Sequence, residues 1–78
     1  MENISAALDD IIIERNNQLK KWGDQSYKTD EVWLAILVEE VGEAAKAILE
    51  NSDNLKEEIL QTAAVATAWL EKKIGEGE

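Results

Sequence analysis

An all-α fold is predicted by three observations. Apolar residues recur every third or fourth position along nearly the whole chain. Proline is absent, so nothing interrupts a helix interior. The few glycines, at 23, 42, 75 and 77, sit mostly where helical patterns end. The expected protomer has three helices and completes a helical bundle by oligomerisation.

The first helix is expected over about 4–22 of "ISAALDDIIIERNNQLKKW", with Gly23 in the position of a C-terminal cap. "GDQSYKTD" reads as a loop. Thr29 is placed to cap the second helix, with Asp30 and Glu31 in its first turn, where the helix dipole favours acids. That helix is expected over about 30–50. "NSDN" reads as a tight turn, with Ser52 or Asp53 capping a third helix over about 53–74, and "GEGE" as a frayed tail. So short a turn makes helices two and three antiparallel neighbours. Residues 1–78 form one domain, without repeat or linker.

At 78 residues, a chain buries only roughly 60% of the surface it exposes when unfolded. Small domains offset this with disulfides, metals or association. Cysteine and histidine are both absent. Disulfides and Ser-His-Asp or Cys-His catalysis are therefore excluded, and any metal must be held by oxygen. Seventeen acids against eight bases give a net charge of −9, which argues against binding a nucleic acid polymer. No apolar run reaches membrane-spanning length. "MENISAALDD" lacks a basic segment followed by an apolar one, so no signal peptide is expected and the predicted location is cytoplasmic.

At about 100° per residue, Trp33, Leu37, Val41, Ala44 and Ile48 form one stripe of the second helix. Glu40 falls inside the apolar sector and Glu43 at its edge, whereas Glu39, Lys46 and Glu50 face away. On the third helix the expected inner stripe is Leu55, Ile59, Thr62, Ala63, Ala66 and Leu70. Glu58 falls beside Thr62, Val65 and Trp69, and Gln61 lies one turn along the same edge. Carboxylates cannot share a dry site while ionised unless a cation lies between them, and inward-facing acids on bundle helices build such sites. The plainer alternative, a solvated Glu-rich edge, remains open. On the first helix the inner stripe is Ile4, Leu8, Ile11, Leu19 and Trp22. It also carries Arg15 and Gln18, with Lys21 at its flank. Arg15 in apolar company needs an acid or a phosphate.

The segments "ERNNQLKKWGDQ", "WLAILVEEVGEAAKAI" and "LKEEILQTAAVATAWLE" resemble the MazG-like branch of the all-α nucleoside triphosphate pyrophosphohydrolases, over roughly Glu14 to Glu71. The family's metal motif is E-x-x-E followed by E-x-x-D on two antiparallel helices. Glu40, Glu43 and Glu58 match it, and Gln61 stands where the family usually has Asp. The resemblance implies a magnesium-dependent hydrolase, manganese being the alternative ion. It would cleave a ribo- or deoxyribonucleoside triphosphate to the monophosphate and pyrophosphate, clearing non-standard or surplus nucleotides. The metal ligands would be Glu40, Glu43, Glu58 and Gln61. Glu39 would activate water beside Glu40. Arg15, Gln18, Lys21 and Trp22 match the first-helix region that binds substrate across a dimer. Common protomers of the family carry a fourth helix or a longer C-terminus, so a homodimer or homotetramer is expected here. Two alternatives stand beside this one: a phosphoribosyl-ATP pyrophosphatase-like activity, and a non-catalytic helical oligomer that binds a nucleotide or partner protein.

Overall fold

The computed structural model describes residues 3–77, and it is all-α, with helices α1 (Ile4–Trp22), α2 (Asp30–Leu49) and α3 (Leu55–Gly75). The helix boundaries fall within two residues of those expected, and the outer limits of the predicted domain, 1, 2 and 78, lie outside the described residues. No helix among the described residues is long and apolar enough to cross a membrane.

Gly23 ends α1 at φ +72°, with its N–H donating to the Leu19 carbonyl at 2.9 Å. A side chain at that φ would be strained, which accounts for glycine there. Thr29 caps α2 by accepting from the Val32 N–H at 3.3 Å. The turn after α2 is a Schellman motif. Asn51 adopts φ +53°, Ser52 N–H donates to the Ala47 carbonyl at 2.9 Å, and Asn51 N–H donates to Ile48 at 3.1 Å. The expected cap of α3 at Ser52 or Asp53 is corrected. Asn54 is the cap residue, and its side chain makes no capping bond. Ser52 is instead spent on the turn, where its hydroxyl accepts from the Asn54 N–H at 3.3 Å.

Helix α3 packs against both α1 and α2, which do not approach each other. The core is small. Trp33, Val65 and Ala68 form its centre, Ile36, Leu37 and Trp69 pack around it, and Ala47 and Ala64 are also buried. Trp33 is the one large buried side chain among the described residues, at 5% exposure. A polar staple closes one end. Trp69 Nε1 donates to Asp30 Oδ1 at 2.9 Å and Lys73 Nζ donates to Oδ2 at 3.2 Å. These contacts join the start of α2 to the late turns of α3, as an antiparallel pair requires.

The inner stripe expected for α3 is corrected. Ile59, Ala66 and Leu70 are exposed, and the inward face carries Ala64, Val65 and Ala68. A helix wedged between two neighbours buries small residues on two flanks, and a one-sided wheel favours the larger apolar ones instead. The α1 stripe is likewise left open. Ile4, Leu8, Leu19 and Trp22 are exposed, Ile11 is half-buried, and the buried residue of that helix is Gln18. On α2, Val41 and Ile48 are also exposed.

Two outcomes follow. Trp33→Ala should cost about 3–5 kcal/mol in urea unfolding, since it empties the centre of the core. Hydrogen bonds from Trp69 and then Lys73, aided by the nearby lysine charges, hold the Asp30 carboxyl below its ordinary range. The stability this contributes is present above the unfolded carboxyl's pKa, about 3.9, and is lost as pH falls through the lower folded value. Asp30→Asn should therefore melt lower at neutral pH and lose less stability on acidification, as pH-dependent thermal melts would measure.

Candidate functional site

A cleft of about 610 Å³ runs along the inner face of α3 and is lined also by the loop between α1 and α2. The α3 wall is a helical row: Gln61, Val65, Ala68, Lys72 and Gly75 recur at intervals of three and four. From α2 come Trp33, Ile36 and Glu40, and from α1 come Arg15, Gln18 and Trp22. The loop adds residues 23–26 and Lys28. Acidic, basic and aromatic side chains therefore share one concavity.

Glu40 is half-buried, one and two turns along α2 from Ile36 and Trp33. Burial pushes its carboxyl above the ordinary Glu range, and the negative charges of Glu58, Glu43 and Glu39 push it further the same way. The charges of three other acids thus reach the Glu40 carboxyl. Glu58 is half-buried, with its Oε1 accepting from Asn54 Nδ2 at 3.4 Å. Glu43 and Glu39 are exposed on α2, and neither they nor Glu58 line the cleft. Gln61 is half-buried, and its Nε2 donates to Glu14 Oε2 at 2.9 Å. Among the described residues, no three acids converge as a ready-made metal cage. The donor chemistry still suits a hard cation: the groups are oxygen donors, and their crowding is relieved by positive charge.

Three of the four α1 candidates line the cleft. Arg15 is paired through Nε with Glu71, and its Nη1 donates to Gln18 Oε1 at 2.8 Å. The need of a guanidinium on an apolar stripe is thus met inside the chain. Gln18 is 9% exposed and is the one buried polar residue described. Trp22 is half exposed where it lines the cleft. Lys21 lines a separate shallow depression with Glu14, Asn17, Gln18, Trp22 and Gln61, and its Nζ lies 4.7 Å from the Trp22 ring centre.

Other lining residues were not singled out by the sequence reading. Lys28 sits with its Nζ 5.5 Å from the Trp33 ring centre. The Trp33 indole N–H is buried without a hydrogen-bond partner among the described residues. Glu71 and Lys72 extend the α3 wall. The spacing that links Gln61 to Val65, Ala68 and Lys72 is present in the sequence and identifies that wall once Gln61 is taken as the starting point. Lys28 carries no comparable signal, because it belongs to a loop. Comparison with family models, curated proteins and solved structures gives no match for this chain.

The raised Glu40 carboxyl carries a further expected outcome. Between the unfolded pKa and the higher folded one, the native state holds more protons, so stability falls as pH rises through that window. Without divalent cations, Glu40→Gln should raise the melting temperature at pH 7. The advantage should shrink below the unfolded Glu value of about 4.3. The same variant should lose any stabilisation that magnesium gives the wild type.

Proposed function

We propose that this protein is a magnesium-dependent nucleotide pyrophosphohydrolase, which with water converts a nucleoside triphosphate to the monophosphate and pyrophosphate. The observation that carries the proposal is Glu40. It is a carboxylate raised by burial and by three other acids, in a cleft whose remaining walls bring Arg15 and Lys28. An acidic centre faced by cations suits a metal–polyphosphate complex better than either partner alone. The MazG-like wording of residues 14–71 points the same way.

In this reading Glu40, Glu43, Glu58 and the Gln61 amide oxygen would hold the ion. When bound, magnesium supplies neutralisation of phosphate charge and acidification of a water. The chain supplies orientation and charge. Arg15 is held in place by Glu71 and Gln18, and its Nη2 makes no hydrogen bond among the described residues, so it is free to meet a phosphate oxygen. Trp22, half exposed in the cleft wall, offers a flat apolar surface to a nucleobase. Glu39 serves as the water-activating base only where a second copy covers its exposed side.

A second copy belongs to the same proposal. Val41, Ile48 and Leu49 of α2, Ile4 and Leu8 of α1, and Ile59 and Leu70 of α3 all stand more than half exposed. Soluble monomers rarely expose contiguous apolar patches above a few hundred Å². The homodimer or homotetramer would cover these residues, and the cytoplasm is the location such a role requires. The non-catalytic reading is favoured by one observation: the Gln61 amide brings no charge and is already bonded to Glu14.

Pyrophosphate release from a panel of nucleoside triphosphates, with and without magnesium, tests the activity. Turnover should require the ion. Glu40→Ala and Glu58→Ala should each lose more than the roughly 10–100-fold typical of removing a residue that only supports a metal ligand. Equal turnover in Glu58→Ala would place the chemistry elsewhere. Light scattering at micromolar concentration should give at least twice the mass of one chain. A folded monomer there would remove the oligomer from the proposal.

A further inference from the structure

Helix α2 carries two apolar faces. One packs on α3 through Trp33, Ile36 and Ala47. The other lies on the far side of the helix at about 100° per residue. Leu34, Val38, Val41, Ala45 and Ile48 recur there at spacings of four, three, four and three. All are exposed, the four larger ones by more than half. Neither other helix covers them, since α1 does not approach α2 and α3 holds the opposite face. An alternation of three and four is the apolar repeat of a helix that pairs with another helix. Gly42 stands on the flank of this face. A glycine inside a helix is destabilising relative to alanine, and a methyl there would meet no other part of this chain within 4 Å. Nothing inside the protomer requires it, whereas close approach of a second helix does.

We infer that this face of α2 pairs antiparallel with the same face of a second copy, about a two-fold axis beside Gly42. The inference rests on the second copy proposed above and not on the hydrolysis. The surface area calls for such a partner. A folded chain of 8.7 kDa exposes about 4,700 Å², and this one exposes 5812 Å². The excess, about 1,100 Å², is more than the roughly 800 Å² that each partner gives to a standard interface. The charges choose the orientation. Glu39 and Lys46 lie seven residues apart on one flank, both exposed, and neither makes an ion pair among the described residues. Antiparallel pairing sets Glu39 against the partner's Lys46, and by symmetry Lys46 against the partner's Glu39. The same register sets Val41 against the partner's Ala45 and Val38 against the partner's Ile48, so charge and apolar layers agree. Parallel pairing would set each charge against its own copy. An anionic lipid surface is disfavoured by the net charge of −9. The pairing also gives the candidate site a residue from outside the chain, because the partner's Lys46 then stands beside Glu39, the neighbour of Glu40.

Light scattering and sedimentation of the full chain test this, with helicity followed by circular dichroism. Wild type should contain at least two chains. Val41→Lys places an ammonium in the seam and should fall to the mass of one chain at micromolar concentration, with helicity kept. Leu70→Lys, at an equally exposed apolar position of α3, should stay at two chains or more. If Val41→Lys keeps the wild-type mass, or Leu70→Lys falls to one chain, the seam lies elsewhere: the inference is overturned and the second copy stands. If Val41→Lys loses its helicity, the charge swap decides. Lys46→Glu should weaken association about 2–30-fold, two exposed pairs being lost at once, and adding Glu39→Lys should restore it. An unchanged Lys46→Glu, or a double variant no tighter than Lys46→Glu, overturns the antiparallel register. A wild type that is a folded monomer overturns both the inference and the second copy, and leaves hydrolysis to be judged by pyrophosphate release.

Discussion

Trp33 seats its ring against Val65 and Ala68, and the small side chains there bring α2 close to α3. A larger residue at 68 would push the helices apart. The close approach brings Glu40, near the middle of α2, within electrostatic reach of Glu58 near the start of α3. It also brings the first turn of α2 to the Trp69 and Lys73 staple. The crowding of Glu40 by Glu58 and the Asp30 staple are thus two consequences of one packing contact.

The cost of that arrangement falls on the acids. A carboxylate beside an apolar pair of helices is disfavoured both by burial and by its neighbours, and Glu40 experiences both. At the opposite end, Asp30, Glu76, Lys72 and Lys73 form a compensated cluster, in which hydrogen bonds from lysine hold the Glu76 carboxyl low. One end of α3 is therefore electrostatically satisfied and the other is not. That asymmetry, more than the number of acids, sets the two ends of α3 apart.

Helix α1 contributes less packing and more polar connection. Its ties to α3 include the Arg15–Glu71 pair and the Glu14–Gln61 hydrogen bond, and most of its apolar stripe remains exposed. A helix held this way gains little from area burial.

Periodicity and punctuation were sufficient for the helices. Gly23 and Thr29 end and begin them for local reasons, which are carried by a few neighbouring residues. The half-burial of Glu40 and Glu58 was also legible, because a wheel reports which residues share a side of one helix, but Glu43, expected inward with them, is exposed. Which side faces a neighbour is another matter. The row Ala64, Val65 and Ala68 lies inside and Ile59 and Leu70 lie outside because α3 is pressed between two helices, and a wheel drawn for one partner favours the larger residues. The same limit hid Glu14. Its bond to Gln61 joins residues 47 positions apart, and only the packing of α1 on α3 brings those two side chains together.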